Sequence, residues 1–441
     1  MRPTRLPWLL AALSLVACQP LLSRRMVEPE VSEAPSIRQK YAELARQAGV
    51  TSPRFALGVP TRREAAFVLF PGDDGSPSAA PVRCRTSGPE GEGEVRPVET
   101  LFGASRRLAL RDFHGTADCQ VDDPRGAFHV PLALAPDETP DEFSFVTHSC
   151  NSPFVTHDGK DEVVGLSSDT RTVYRLLQAR GEGTLRLAGL PPRPSFGLGL
   201  GDQLYLDPDN TDAPQLSLLS GPRSNHLRVA EAEVPGLMRL VYRSTFGLPG
   251  LREAYERIPH ALVWDDHDIG DGWGSQGHEP SSSGQRYLAA ARGAFLEYQG
   301  SRNPTLGGQP LRPAWVEQVT QSPELPLDVG FRWGADVVVT LLDDRTERVS
   351  AALDPDRRRV VRPGQLRRLA AQLARLPAGK PGTLILGLPL PLVFMVAQKH
   401  LALATANVSA HAAEQLDDIR DGWSENPRDL EELMSLLLPH F

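Results

Sequence analysis

Only four of the 441 residues are cysteine, at positions 18, 84, 119 and 150, few enough to be sorted one by one. Positive charge is also in short supply. Lys and Arg number 47 against 55 Asp and Glu, a formal net charge of −8. A mildly acidic chain without a basic footprint is a poor nucleic-acid binder. Long apolar runs are missing too: beyond residues 8–17 no segment has the length or apolarity of a transmembrane helix. No internal repeat is present, so the chain does not read as an array of stacked units. What remains is enough for two or three domains with an ample core. The 40 prolines and 38 glycines point to long structured loops rather than low complexity.

Arg2 and Arg5 precede an apolar run from Trp8 to Ala17, too brief to span a bilayer as a stable helix. The run ends Leu15-Val16-Ala17-Cys18, which resembles a bacterial lipoprotein signal with Cys18 as the lipid-modified residue. An ordinary secretory signal cut nearby is the alternative, and either one predicts export. Gln19, rather than Asp, after the cysteine resembles the sorting pattern of an outer-membrane lipoprotein facing the periplasm or cell surface. The expected membrane partner is therefore met through a lipid anchor. In an oxidising compartment Cys84 and Cys119, both in β-patterned sequence, are expected to form a disulfide. Closing that loop is worth about 3–4 kcal/mol on the chain-entropy argument. Cys150 is left over, which suggests either burial or chemistry.

Residues 19–53 read as a tether, polar and proline-bearing, with a short amphipathic helix over Ile37 to Gln47. Residues 54–138 change to short alternating runs. Ala65–Phe70, Val82–Arg85, Val95–Glu99, Arg107–Arg111, Ala117–Val121 and Phe128–Leu134 read as strands separated by Gly, Pro and Asp turns. That spacing predicts a small β-sandwich. Pro136 to Asp141 makes a natural boundary, and residues 139–441 carry the chemistry.

There the chain is organised around Leu262 to Trp273, where a short apolar run meets Asp265, Asp266, His267, Asp268 and Asp271. Four carboxylates and an imidazole repel one another and resist burial unless something positive sits among them. A solvated acidic loop is the plain alternative, but Trp264 and Trp273 flank the charges and argue against free solvation. Two earlier runs end in the same way. Phe143–Thr147 reads as a strand leading to His148-Ser149-Cys150, and Phe196–Leu200 as a strand leading to Gly201-Asp202-Gln203-Leu204-Tyr205. Taken alone, Cys150 is a small buried hydrophobe and Asp202 a helix N-cap. Three successive strand ends carrying such residues instead form the pattern of a layered α/β hydrolase.

At these residues the sequence resembles the PhoD-like alkaline phosphatases and phosphodiesterases of the calcineurin-like metallophosphatase superfamily. Ser-Cys, Gly-Asp-Gln-Leu-Tyr and Trp-Asp-Asp-His-Asp carry the likeness, joined by Leu341-Leu342-Asp343-Asp344-Arg345, Gly387 to Pro391 and Asp417 to Trp423. The resemblance implies a layered α/β metallophosphatase-like domain behind the small β-sandwich. It also implies a dinuclear site, iron with calcium or another divalent cation, acting on a small phosphate ester. By matching position Asp202 would bridge the metals, Cys150 and Tyr205 would hold the iron-type ion, and Asp266 the second ion. His267 would contact the phosphate and assist the leaving group, Asp265 and Asp268 would support the ligands, and Arg345 is a phosphate contact or a surface arginine.

The sequence departs from the family in two places. Asp271 stands where the family carries an Asn, keeping an oxygen ligand and adding charge. No Gly-Asp-x-His step occurs after residue 384, so the last strand of metal ligands is missing from the pattern and the chain reads as truncated. Two functions stay open: a PhoD-like phosphohydrolase, and a lipid-anchored relative that binds metal or phosphate without efficient turnover.

Overall fold

The computed structural model describes residues 45–72, 74–89, 91–151, 154–157, 160–166, 168–204, 234–270, 272–274, 282–348, 359–376, 382–392, 422–423 and 426–440. Cys18, Tyr205 and Asp271 lie outside the described residues, as do most of the 19–53 segment and Asp417. No helix among the described residues is long and apolar enough to cross a membrane.

The first eight strands form two antiparallel sheets. They are β1 (Phe55–Leu57), β2 (Glu64–Leu69), β3 (Val82–Gly88), β4 (Gly91–Val95), β5 (Val98–Phe102), β6 (Ser105–Arg111), β7 (Thr116–Val121) and β8 (Phe128–Ala133). One sheet runs β1-β2-β6-β5 and the other β4-β3-β7-β8. The single strand expected over Val95–Glu99 is two, broken at Arg96-Pro97. Pro97 has no N–H to give a ladder, which is why the chain turns there. Cys84 and Cys119 face each other across β3 and β7 and are disulfide-bonded.

Both sheets contribute to one apolar cluster, with Phe67, Leu69, Leu108 and Leu110 from the first packed with Cys84, Cys119, Val121 and Val130 from the second. The first sheet has a second buried face. Ala56, Val68, Phe70 and Phe102 belong to the main core instead. Burial on both faces explains why β2 reads Ala-Ala-Phe-Val-Leu without polar alternation.

The main core is built on two three-stranded sheets. β9 (Phe145–His148), β12 (Phe196–Leu200) and β13 (His260–Val263) are parallel in the order β13-β12-β9. A hairpin of β10 (Phe154–His157) and β11 (Lys160–Leu166) follows β9, and a two-residue pair, β14 (Thr305–Leu306) and β15 (Gln309–Pro310), precedes the second sheet. That sheet runs β16 (Val329–Trp333), β17 (Val337–Leu341), β18 (Thr383–Gly387), with β16 antiparallel and β18 parallel to β17. β13 and β17 are buried along their whole lengths, as strands covered on both faces should be. Phe196 of β12 joins the sheets, its ring 5.5 Å from Phe331 and 5.2 Å from Trp333. At Gly197 a Cβ would meet His260 Nε2 at 2.3 Å, so only glycine lets the histidine lie across β12.

Helices cover these sheets: α1 (Ser168–Glu182), α2 (Val234–Phe246), α3 (Leu251–Arg257), α4 (Ser282–Tyr298), α5 (Pro313–Gln321), α6 (Pro363–Leu373) and α7 (Pro427–Leu437). The last three open on proline, whose missing N–H is not needed in a first turn. α4, α5 and the edge strand β16 lie between the acidic loop and β17. α4 packs Phe295 against Trp264, ring centres 5.2 Å apart, which fixes the root of the acidic loop.

Candidate metal centre

Three parallel strands end side by side, and two of them end in left-handed backbone. β9 stops at His148 and the chain reaches Cys150 with φ 54°. β12 stops at Leu200, passes Gly201 with φ 82° and reaches Asp202 with φ 53°. Cys150 and Asp202 are two of only three non-glycine residues with positive φ among the described residues. Such backbone costs on the order of 1–3 kcal/mol per residue and persists where the surroundings enforce it. The enforcing contact is visible: Asn151 N–H donates to the Asp202 carbonyl at 2.7 Å, and the Asn151 amide donates to the Gln203 carbonyl at 3.2 Å. A Cβ at Gly201 would stand 2.3 Å from the Asp265 Cβ, so glycine is what lets β12 and β13 end this close together.

β13 then gives Trp264, Asp265 and a 3-10 turn over Asp266–Asp268. Ligand atoms of Asp202, Asp266 and His267 all lie within 4.8 Å of one another. The Cys150 thiol points at Asp202 Oδ2, with Sγ 3.6 Å away. Asp202 is buried, and its Oδ1 has no hydrogen-bond partner. Burial pushes the Asp202 carboxyl well above the usual range, opposed by His267 and aided by Asp265, Asp266 and Cys150. A carboxylate oxygen left without a donor in such a place is costly. The donor set of carboxylates, imidazole and thiol is one that a cation of oxygen- and sulfur-binding type would satisfy.

The neighbouring acids are held differently. Arg345, itself buried, places Nε 2.5 Å from Asp265 Oδ1 and Nη2 3.2 Å from Asp266 Oδ1, and donates from Nη1 to the Trp273 carbonyl at 2.9 Å. Burial works to raise Asp266, but Arg345, His267 and the Gly272 N–H outweigh it and hold its pKa down to about 2. Gly272 N–H lies 2.8 Å from Asp266 Oδ2. Burial raises Asp265 despite Arg345. Asp268 accepts from the Asp265 N–H and from the Gln299 amide, both at 3.1 Å, and burial raises it to about 7. Asp265 and Asp268 thus shape the loop around Asp266.

The structure therefore brings together Cys150, Asp202, Asp266 and His267, with Asp265 and Asp268 immediately behind them. Arg345 is neither at the surface nor unengaged. Two supporting residues, Asn151 and Gln299, have no signal in the sequence reading, and a third, Asp343, stands there in a quoted motif without a role. The Asp343 carboxylate accepts from Trp264 Nε1 at 2.7 Å. Asp343 could have been flagged by its place in the Leu-Leu-Asp-Asp-Arg run; nothing in the local sequence marks Gln299.

Within an α/β fold, parallel strands thus converge on two buried carboxylates and a half-buried imidazole. The PhoD-like phosphatase family matches residues 185–434, more than half of the chain, and the chain belongs to that family. Asp202, Asp266, His267 and Arg345 lie within the matched span, and Cys150 lies before it. A solved structure described as "Structure of PhoD" aligns at 15% identity and TM-score 0.45, over 74% of this chain and 60% of its own. The match thus spans less than two thirds of that protein's length. An amylomaltase from Corynebacterium glutamicum aligns at 14% identity and TM-score 0.14, over 37% of this chain and 23% of its own. No curated protein matches the chain.

Proposed function

We propose that the chain is a metal-dependent phosphoesterase acting on a small phosphate ester, with Asp202, Asp266 and His267 at the heart of its centre. The observation that carries this reading is Asp202, a buried carboxylate with an unpartnered Oδ1 facing two further ligand-type side chains. Cys150 would add a thiolate, Tyr205 a phenolate and Asp271 an oxygen, a set suited to a ferric-type ion beside calcium or another divalent cation. When bound, such ions polarise a phosphoryl group and lower the pKa of a coordinated water.

The chain's own residues supply the remainder. His267 is only half-buried and is the group able to hold or deliver a proton at the leaving oxygen. Arg345 balances the charge of Asp265 and Asp266, leaving Asp202 as the carboxylate that needs a cation. The buried Trp264 and Trp273 shield the loop from bulk water. We further read the two N-terminal sheets as a small β-sandwich, and residues 1–18 as a lipoprotein signal that would carry the protein to the outer membrane, facing the periplasm or cell surface.

Metal analysis of the purified protein, with hydrolysis assays on aryl phosphate monoesters and diesters, tests the proposal. Asp202→Asn is expected to lose bound metal, and His267→Ala to lower turnover about 10²- to 10⁴-fold. Metal-free protein, or turnover indifferent to His267→Ala, sinks it. Bound metal without turnover in the parent protein favours the second reading, a binding relative that does not hydrolyse.

A further inference from the structure

Charge and apolar surface combine on α1 and the loop that follows it. Of the nine large hydrophobic side chains exposed among the described residues, five are Phe145, Val173, Leu176, Leu187 and Leu190. Leu187 and Leu190 are 46% and 48% exposed, and Val173 and Leu176 50% and 49%. These side chains come from β9, from α1 and from the loop after α1, yet one buried residue pins all three together. Arg180 donates to the carbonyls of Leu185, Pro191 and Pro192 at 3.0, 3.1 and 3.3 Å, and to Ser144 Oγ, beside Phe145, at 3.4 Å.

Helical spacing puts two of the exposed side chains in line with Arg180. Val173, Leu176 and Arg180 fall on one stripe of α1, three and four residues apart. The loop that carries Leu187 and Leu190 caps the position of Arg180 and so extends the exposed Val173–Leu176 stripe. Hydrogen bonds from the Thr184 and Leu185 N–H groups to the Ala179 carbonyl, at 2.9 and 3.1 Å, hold the loop against the helix end. β9 is an edge strand of its sheet among the described residues, which leaves Phe145 at the border of the same face.

The charge of this face opposes that of the chain. Residues 168–193, α1 and the loop after it, contain arginine at 171, 175, 180, 186 and 193 against two acids, Asp169 and Glu182, in a protein of net charge −8. Glu182 is itself committed, accepting from Gln178 at 2.9 Å and lying 3.8 Å from Arg257. Arg171, Arg175, Arg186 and Arg193 are all exposed. Exposed leucine and valine with a surplus of arginine over acid is the composition that settles into the headgroup region of an anionic bilayer.

We propose that this face, α1 with the 185–190 loop, docks on an anionic lipid bilayer. Apolar side chains would enter the interface and the arginines would meet lipid phosphates, which sets how the protein lies on the membrane. The choice of a bilayer over an acidic protein draws on the reading of residues 1–18 as a membrane-targeting signal, and the experiment separates the two.

Full-length chain carrying Cys18→Ser, and so unable to be acylated there, is floated with vesicles of phosphatidylglycerol and phosphatidylethanolamine, or of phosphatidylcholine alone. Three forms are compared: this parent, Leu187→Asp with Leu190→Asp, and Arg171→Glu with Arg175→Glu. Each pair of substitutions is expected to weaken binding to the anionic vesicles roughly tenfold or more, with no difference on phosphatidylcholine. Unchanged thermal unfolding certifies that the variants fold. Equal binding of all three forms to anionic vesicles overturns the proposal and leaves the face to an acidic protein. The mass of the N-terminal peptide from wild-type protein reports acylation at Cys18 separately, so loss of the anchor reading is distinct from loss of this one.

Discussion

The indole N–H of Trp264 reaches from the end of one sheet to the carboxylate of Asp343 at the end of the other, 2.7 Å away. Asp343 also accepts from the N–H groups of Leu327 at 2.7 Å, Thr346 at 3.0 Å and Arg345 at 3.2 Å. It is fully buried and its oxygens are spent on donors, so it is a structural tie rather than a ligand. Asp343→Ala strands the indole N–H and the Leu327 N–H at once. The expected loss is about 3 kcal/mol, since each buried group left unmet costs about 1–3 kcal/mol. Urea unfolding measures it, and a variant as stable as wild type would remove the tie from this account.

Arg345 makes a second tie between the sheets, and its loss should depend on metal. Arg345→Met leaves Asp265 and Asp266 buried without their guanidinium. Removing one side of a buried ion pair typically costs about 3–5 kcal/mol. A divalent cation supplies positive charge to the same carboxylates, so added manganese should recover part of that loss. Equal destabilisation with and without manganese would mean that Arg345 and the cation site are independent.

A pH-dependent contribution is expected in the sheet β1-β2-β6-β5. Glu64 meets Arg107 at 2.6 Å and Arg111 at 2.5 Å. Burial works to raise its pKa, but the two arginines outweigh this and the net shift is downward. A carboxyl whose folded pKa is depressed adds stability above its unfolded value of 4.5, and that stability fades as pH falls below it. Glu64→Gln should therefore cost about 3 kcal/mol or more at pH 7, because Arg107 is buried and loses its counter-charge. The gap from wild type should narrow below pH 4. A gap that stays constant from pH 7 to pH 3 would assign the effect to packing alone.

How much of this was legible in the sequence follows from what each residue depends on. The strand ending at Leu200 was readable at its observed bounds, and the strands before Cys150 and Asp265 to within about two residues. β12 and β13 are buried almost throughout, so they read as near-continuous apolar runs whose ends are marked by the first charge. The cluster of Cys150, Asp202, Asp266 and His267 was readable because parallel neighbours bring successive strand ends to one edge. Arg345 was not. Its partners are set by how the second sheet approaches the first, and no local pattern encodes that distance. Gln299 and Asn151 were missed for the same reason: each is an ordinary polar residue until the fold gives it something to hold.

The sheet β1-β2-β6-β5 has one more consequence. Val68, Phe70 and Phe102 on one side and Phe67, Leu69 and Leu108 on the other make it a party wall between two rooms. A chain cut at the proline-rich boundary near residue 138 would bare the main-core side of that wall on the first fragment, and the apolar surface it covered on the second. The catalytic part is thus expected to be insoluble when expressed alone, and a substitution that loosens the wall should be felt in both rooms at once.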